Sequence, residues 1–453
     1  MKSDTIAAIS TPLGEGGVGI IRISGPSSLS IIDRIFKASA KARIKPRYAT
    51  HGWIFAGHRA LDEAVLTYYK APSSYTGEDV AEISCHGGIT VLKAVLSLII
   101  KKGARLAERG EFTKRALLNG KMDLSKAEAV IDMVKARTNE ASLLAASHLY
   151  GSLASKMHGI RQKMIDLLTK IEVSIDYPED TGIVNSRDQA VTIRQAIQSV
   201  DKLIMTADMG KMHREGLTAA IIGRPNVGKS SLLNALLKNE RAIVDKQPGT
   251  TRDVIEEAIN IKGTPFKLID TAGIRESRNS VERLGIERAN KATEDADMIL
   301  LVLDISEKLI REDLSLINRV VGRPTIIVLN KADKIHILKA NDIKANRYHK
   351  KILVSAVKGY GIKRLENLMI QTVSRNKVVA QNVDIMINLR QKQCLERARQ
   401  SLEKAERSVK RGMQPDFISI DLRGAVAAMG EVTGDNVSDE VISGIFDKFC
   451  VGK

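Results

Sequence analysis

One octet, Gly223-Arg224-Pro225-Asn226-Val227-Gly228-Lys229-Ser230, narrows the folds open to this chain more than any other feature. It has the form G-x-x-x-x-G-K-S. The apolar run Thr218 to Ile222 precedes it, and a helical pattern, Ser231 to Leu237, follows it. A loop of this kind joins the C-terminal end of a strand to the N-terminal end of a helix. Its glycines let backbone N–H groups turn inward onto phosphate oxygens, and the helix start adds partial positive charge. Lys229 is then placed to neutralise β and γ phosphates, and the Ser230 hydroxyl to coordinate magnesium.

The surrounding sequence repeats the same alternation. Short apolar runs at Phe266–Ile269, Met298–Leu303, Thr325–Leu329 and Ile352–Val354 read as further strands, most of them separated by helical patterns. That order predicts parallel strands with crossover helices from about residue 214 to 374. Motifs follow these strands in series. Asp270-Thr271-Ala272-Gly273 follows the second: Asp270 is expected to hold magnesium through a water, and Gly273 leaves room for its N–H beside the γ-phosphate. Upstream, Gly249-Thr250-Thr251-Arg252-Asp253 occupies the place of a first switch, with Thr251 expected on magnesium. Asn330-Lys331-Ala332-Asp333 follows the fourth strand. The Asp333 carboxylate can accept from N1–H and the 2-amino group of guanine; adenine offers neither, so it leaves a buried carboxylate unpaired. Asn330 is expected to brace that loop, and Ser355-Ala356 to cover the base with backbone N–H. Alone, each of the motifs that follow the phosphate loop has a turn as its alternative reading; in series after that loop they predict binding of a guanine nucleotide.

Hydrolysis needs an oriented water. Ras-like enzymes place a glutamine directly after Asp-x-x-Gly; here that position is Ile274, which cannot hydrogen-bond water. Glu282 is the candidate to replace it, the alternative being a solvated helix carboxylate in a surface pattern with Arg283 and Glu287. No arginine of the phosphate loop is placed to act as a finger. Asn226 offers a side-chain oxygen near the β and γ phosphates, where a monovalent cation can supply the missing charge.

Outside this block the chain reads differently. Residues 1 to about 120 are mixed, with strands at Val18–Ile23, Ala64–Tyr69 and Val80–Cys85 and a helix over Thr90–Lys101 that ends at Gly103. No proline occurs between Pro72 and Pro178, and Ile160, Met164, Leu167, Ile171 and Ile175 recur at helical spacing. Near the other end Leu395, Ala398, Leu402, Ala405 and Val409 form one stripe on a charged helix that stops at Gly412. Ser438 then caps a helix with Ile442, Ile445, Phe446 and Phe449 on its apolar face. The two helical stretches predict one helical domain in two pieces, with the α/β block inserted in it.

The 453 residues suffice for about three domains. No apolar run approaches the length that spans a bilayer, and the first residues lack a signal-peptide core, which predicts a cytoplasmic protein with no membrane partner. Three widely separated cysteines, Cys85, Cys394 and Cys450, exclude a disulfide framework. The net charge of +17 points to a polyanionic partner such as RNA, or to nothing more than a basic proteome. Aromatic residues are only 4%, so RNA contact here would rest on phosphate charge and shape rather than on a stacking platform.

With these motifs the chain resembles the tRNA-modification GTPases of the MnmE (TrmE) family, over its whole length. Asp4-Thr5-Ile6-Ala7-Ala8 and Gly16 to Gly25 are similar to that family's opening. So are Ser74 to Glu82, His86-Gly87-Gly88, Gly110-Glu111-Phe112-Thr113, Asn119 to Leu124 and the closing Cys450-Val451-Gly452-Lys453, with valine where isoleucine is usual. The resemblance implies an N-terminal α/β domain (1–120) that binds tetrahydrofolate and dimerises, a helical domain (121–213 and 375–453) and an inserted Ras-like P-loop GTPase domain (214–374).

It also implies roles. The nucleotide contacts are Asn226, Val227, Gly228, Lys229, Ser230 and Ser231; Asp245, Lys246, Gln247, Pro248, Gly249, Thr250 and Thr251; Asp270, Thr271, Ala272 and Gly273; and Asn330, Lys331, Asp333, Ser355 and Ala356. Magnesium falls to Ser230 and Thr251, potassium to Asn226, Asp245, Gln247 and Thr250, and the attacking water to Glu282, with Asn226 and Lys229 also catalytic. Arg22, Glu82, Lys121 and Lys453 fall on positions that contact 5,10-methylene- or 5-formyl-tetrahydrofolate. Cys450 is a candidate nucleophile or else a free thiol in a partly buried tail, whereas Cys85-His86 is no working dyad, because neighbours on a strand face opposite ways. The implied partners are GTP, tRNA, a second copy of the chain and an FAD-dependent MnmG-type protein in a heterotetramer; the implied chemistry is 5-carboxymethylaminomethyl or aminomethyl modification of the wobble uridine, U34. The competing reading is a ribosome-assembly or RNA-binding GTPase switch, against which stands the absence of a KH-type Gly-x-x-Gly loop after the nucleotide block.

Overall fold

The computed structural model describes residues 4–39, 43–136, 138–177, 185–239, 256–270, 294, 296–338, 343, 349–373 and 385–453. Contacts divide the chain into two compact units. One comprises Met1–Ile131, His148–Val200 and Gln393–Lys453; the other comprises Asp132–Ser147 and Asp201–Lys392.

The first unit is built on a seven-stranded sheet. Its strands are β1 (Ile6–Ile9), β2 (Gly19–Ser24), β3 (Phe36–Ala38), β4 (Ala49–Ala56), β5 (Arg59–Tyr69), β6 (Val80–Cys85) and β7 (Arg105–Leu106), in spatial order β3-β4-β5-β6-β2-β1-β7. All pairings are antiparallel except β1 with β7. Alternation in β2 sends Ile21 and Ile23 to one face, where helices Ser28–Ile35 and Ile89–Lys101 cover them with Ile31, Ile32, Leu92, Val95 and Ile99. On the other face Phe112, from helix Glu111–Leu118, packs against Ile6 and Ala8.

Long helices complete this unit. The stripe Leu395, Ala398, Leu402, Ala405 and Val409 is buried along helix Leu389–Lys410. Ile160, Met164, Leu167 and Ile171 are buried along Ser152–Asp176, while Ile175 is only half-buried. That helix packs on Pro415–Thr433, and the ion pairs Arg161–Asp435 and Arg423–Glu172, both 2.7 Å, join the two segments. Gly412, at φ +64°, ends one helix in the left-handed conformation and Pro415 opens the next, so the turn between them is tight.

The final helix, Asp439–Phe446, is capped by Ser438, whose hydroxyl accepts from the Val441 N–H. It carries the tail back to the sheet. The Gly110 N–H donates to the Cys450 carbonyl at 3.3 Å, and Arg109 bridges Val451. Gly110 has φ +64°, and a Cβ there would lie 2.8 Å from Phe446 and 2.9 Å from Phe449; a Cβ on Gly452 would lie 2.4 Å from the Ile9 carbonyl. Both glycines are therefore demanded by backbone angle and by space.

The second unit holds a six-stranded sheet: β8 (Leu217–Ile222), β9 (Glu256–Ile261), β10 (Thr264–Asp270), β11 (Met298–Asp304), β12 (Thr325–Asn330) and β13 (His349–Leu353). The order is β13-β12-β11-β8-β10-β9, with every pairing parallel except β9 with β10. Strands β11 and β12 are buried at every residue, as expected for strands covered on both faces. Helices Lys229–Asn239 and Ile362–Val373 lie on one face and Arg311–Arg319 on the other. The sequence order reverses at β8, so the C-terminal ends of β8 and β11 form the topological switch point, the standard binding position in such sheets.

The fold expected from sequence, mixed α/β with helical segments, is the one observed. The antiparallel β9 was not foreseen. It is reached through a turn at Lys262 and Gly263 with φ of +49° and +81°, a hairpin geometry in which lysine takes the place of the usual asparagine. Among the described residues no helix is long and apolar enough to cross a membrane. Leu402→Ala, which empties a fully buried position of the helical stripe, is expected to destabilise this unit by about 2–5 kcal/mol, measured as a fall in the denaturant midpoint of its unfolding transition.

Candidate functional site

The octet turns between the end of β8 and the start of helix Lys229–Asn239. Asn226 at φ +62° and Gly228 at φ +96° give the loop its inward curl. Two close approaches fix its glycines. A Cβ on Gly223 would stand 2.5 Å from the Val302 carbonyl, and one on Gly228 would stand 2.3 Å from Asn330 Nδ2. Val227 is buried in the sheet core and anchors the loop. The Lys229 ammonium is drawn into the curl, donating to the carbonyls of Gly223 (3.0 Å) and Arg224 (2.6 Å). Ser230 and Ser231 lie in the first turn of the helix. A nest of this shape, with a buried ammonium at its centre and a hydroxyl on the first helical turn, fits a magnesium-bound polyphosphate.

Arg224, the octet's one arginine, is held away from a finger role. Its guanidinium donates to Asp313 at 2.7 Å and Glu307 at 3.0 Å, and the Asp313 bond raises its pKa further. Asp313 is itself buried at the start of helix Arg311–Arg319, where it also accepts from the Ile310 N–H.

The base-reading side is built on Asn330, the last residue of β12. Its Nδ2 donates to the Val227 carbonyl at 2.9 Å, and its Oδ1 accepts from the Ala356 N–H at 3.1 Å. One buried amide thus ties together the phosphate loop, the Asn-Lys-x-Asp loop and the turn after β13. Lys331, at φ +66°, pairs with Asp304 at the end of β11 (2.5 Å). Asp304 also accepts from the Ser306 N–H at 2.9 Å and hydroxyl at 2.6 Å. Burial pushes its carboxyl up, but the bonds from Lys331 and Ser306 outweigh that and hold it below the ordinary aspartate value. Asp333 accepts from the Ser355 hydroxyl, and chiefly for that reason its carboxyl is also lowered. The N–H groups expected to cover the base are engaged within the protein here: Ser355 donates to the Tyr360 carbonyl and Ala356 to Asn330.

Asp304, Ser306, Asp313 and Glu307 escaped the sequence reading. The only local signal was Asp304-Ile305-Ser306 directly after an apolar strand, a pattern that favours a side-chain-to-backbone turn. Asp245, Lys246, Gln247, Pro248, Gly249, Thr250, Thr251, Thr271, Ala272, Gly273 and Glu282 lie outside the described residues, as does the Asp270 side chain, although its backbone ends β10.

A second cluster forms in the first unit. Arg22 of β2 faces Glu82 of β6 in register and pairs with it at 2.7 Å. The Arg22 guanidinium lies over the rings of Tyr75 (5.3 Å) and Phe112 (5.6 Å). Lys121 donates to the Pro72 carbonyl at 3.0 Å, and its stem lies 3.3 Å from where a Gly77 Cβ would be. Three sequence blocks are interlocked here: Asn119 donates to the Thr76 carbonyl, Tyr75 shares a hydrogen bond with Thr113, and Arg115 pairs with Glu78. Lys453 follows Gly452, which lies against Ile9 and Ser10 at the end of β1, beside the Ala8–Arg22 pair. Arg22, Glu82 and Lys121 thus border the segment 72–77, where a carboxylate–guanidinium pair beside two rings could hold a flat, polar heteroaromatic group; among the described residues no contact joins the Lys453 side chain to them. Cys450 is exposed and free. Cys85 is buried, and burial first, with Asp62 second, raises its thiol to about 12, whereas the exposed His86 bonds to Asp62 at 2.7 Å. The two form no dyad.

Two outcomes follow for the nucleotide site. Asn330→Ala strands the Val227 carbonyl and the Ala356 N–H, at about 1–3 kcal/mol for each unsatisfied group; guanine-nucleotide affinity is expected to fall at least about tenfold in a fluorescent-GDP titration. Both Asp304 and Asp333 have depressed pKa values, so their charged arrangements are complete above the ordinary aspartate range and are lost only as pH falls through the lowered values. The ratio of GDP to ADP affinity is therefore expected to be constant between pH 5 and pH 8, since phosphate titration is common to both nucleotides; a loss beginning near pH 6 in calorimetry would contradict this.

Comparison with known proteins agrees with this geometry. The model of the MnmE helical domain matches residues 124–450, and that of the GTP-binding protein TrmE N-terminus matches residues 5–121. Three proteins named tRNA modification GTPase MnmE are similar end to end. That of Alkaliphilus oremlandii is 42% identical over 457 residues, covering 99% of both chains. That of Thermoanaerobacter pseudethanolicus is 43% identical over 462 residues, covering 100% of both. That of Carboxydothermus hydrogenoformans is 44% identical over 465 residues, again covering 100% of both. With a nucleotide loop braced to a guanine-type reading loop and relatives that match from end to end, this chain belongs to the MnmE family of tRNA modification GTPases.

Proposed function

We propose that this chain hydrolyses GTP to drive modification at the 5-position of the wobble uridine of tRNA. That it is a GTPase involved in tRNA modification follows from its family; the finer assignment is our reading. The observation that carries its GTP-hydrolysing half is the Asn330 amide, which joins the phosphate loop to the guanine loop and so makes base identity and phosphate position parts of one rigid site; the wobble-uridine half rests on the family resemblance.

In this reading Lys229 grips the β and γ phosphates and Asp333 selects guanine. Ser230 and Thr251 hold magnesium, with Asp270 acting through water; the ion supplies neutralising charge to the phosphates. Asn226, Asp245, Gln247 and Thr250 hold potassium, which takes the place of an arginine finger that Arg224, bound to Asp313 and Glu307, does not provide. Glu282 orients the attacking water. Arg22, Glu82, Lys121 and Lys453 hold a tetrahydrofolate one-carbon donor, and Cys450 is the nearby thiol. The parts divide as an N-terminal folate-binding and dimerisation domain (1–120), a helical domain (121–213 and 375–453) and the GTPase domain (214–374). The working assembly is a cytoplasmic dimer joined to an FAD-dependent MnmG-type partner and tRNA.

GTP turnover is expected to fall at least about tenfold when sodium replaces potassium as the only monovalent cation, because the smaller, more strongly hydrated sodium ion does not occupy a site sized for potassium and the phosphates then lack that charge. Equal rates in the two salts would remove potassium from the mechanism. Purified chain, flavoprotein, methylene-tetrahydrofolate, GTP, potassium, unmodified tRNA and an amine donor, ammonium or glycine, are expected to yield modified wobble uridine by nucleoside mass spectrometry; an unmodified nucleoside with both amines would defeat the assignment.

A further inference from the structure

At the tight turn between helices Leu389–Lys410 and Pro415–Thr433 lies a shallow groove of about 300 Å³. Lys404, Arg407 and Arg411 form one wall, while Phe417, Ile420 and Asp421 form the other. The three cations recur at i, i+3 and i+7. Arg411 continues the helical turn, with its N–H bonded to the Arg407 carbonyl at 3.0 Å, so they make one stripe roughly 10 Å long.

Their state of pairing sets them apart. Arg397, Arg399 and Lys410 on the same helix are matched with Glu431, Glu403 and Glu406. Among the described residues, the side chains of Lys404, Arg407 and Arg411 have no such partner. Opposite them Phe417 is 50% exposed and Ile420 65% exposed, an apolar strip that a solvated helix does not need. Asp421 is the only carboxylate in the lining, so the groove keeps a net positive charge. An open channel of this kind does not enclose a small molecule. A row of unneutralised cations beside an exposed ring suits a phosphodiester backbone with an unpaired base laid against the apolar wall.

We infer that this groove is a docking site for the tRNA backbone, outside the nucleotide and folate sites. The inference rests on the reading that tRNA is the substrate, and the charge of +17 on the whole chain favours an RNA occupant over an acidic protein. Phosphate contact is the chief source of affinity, and the ring of Phe417 adds a non-sequence-specific contact.

The test uses the full chain and an unmodified tRNA transcript, with binding followed by anisotropy over a range of potassium chloride. The variant Lys404→Gln/Arg407→Gln/Arg411→Gln is compared with wild type and with Arg59→Gln/Lys93→Gln/Lys101→Gln, which removes the same charge from exposed positions on the N-terminal sheet and its helix. The groove variant is expected to bind at least about tenfold more weakly, with a salt slope shallower by about 2, while GTP turnover without tRNA is unchanged and reports an intact fold. Phe417→Ala is expected to weaken binding severalfold with no change in slope. The inference is overturned if the groove variant binds like wild type, if the control loses as much, or if wild type shows no salt-dependent binding. It is also overturned if tRNA binding is kept but modification with the flavoprotein is lost, since the groove would then serve a protein. Guanine-nucleotide hydrolysis and wobble-uridine formation by wild type are read separately, so failure of the groove does not pass for failure of the proposed function.

Discussion

A single carboxamide holds the nucleotide site together. Asn330 is 2% exposed, donates to the phosphate loop and accepts from the turn after β13. Because both of its polar ends are buried and satisfied, none of the three loops can shift without orphaning a donor or an acceptor. The same atom sets the identity of Gly228, since no Cβ fits beside Nδ2. The glycine of the phosphate motif is therefore fixed by the base-reading loop as well as by backbone curvature.

Around that centre, ion pairs tie both ends of the site to one connection, the stretch from Asp304 to Asp313. Asp304 holds Lys331 on the base side, while Glu307 and Asp313 hold Arg224 on the phosphate side. Asp313 also accepts from the Ile310 N–H, so the helix that follows begins where the phosphate loop is anchored. Arginine in a phosphate loop suggests a ligand contact; here it serves the scaffold.

Legibility followed the range of the interaction. The apolar runs that became β8, β11 and β12 were plain because strands buried on both faces are continuous in sequence. The helical stripe from Leu395 to Val409 was plain because its period is local, and Ser438 because its cap reaches only three residues. Strand β9 was hidden because Glu256-Glu257-Ala258 carries little apolar signal and its turn uses Lys262 where asparagine is usual. The Asp304 and Asp313 anchors were hidden because each acts on a residue 27 to 89 positions away, to which no local pattern points. On the N-terminal side, the blocks Ser74–Glu82, Gly110–Thr113 and Asn119–Lys121 were recognised only by resemblance; their contacts give the physical reason that they occur together.

The return of the tail to the sheet has a consequence for biosynthesis. Arg109 donates to the Asp447 carbonyl across 338 positions, and Gly110 meets Phe446 and Phe449. A ribosome adding about 5–20 residues per second delivers those partners some tens of seconds after Gly110 has emerged. Throughout that interval the surface around Gly110 lacks its aromatic cover. The region translated first is thus among the last to be finished, and its closure reports that everything between has been made.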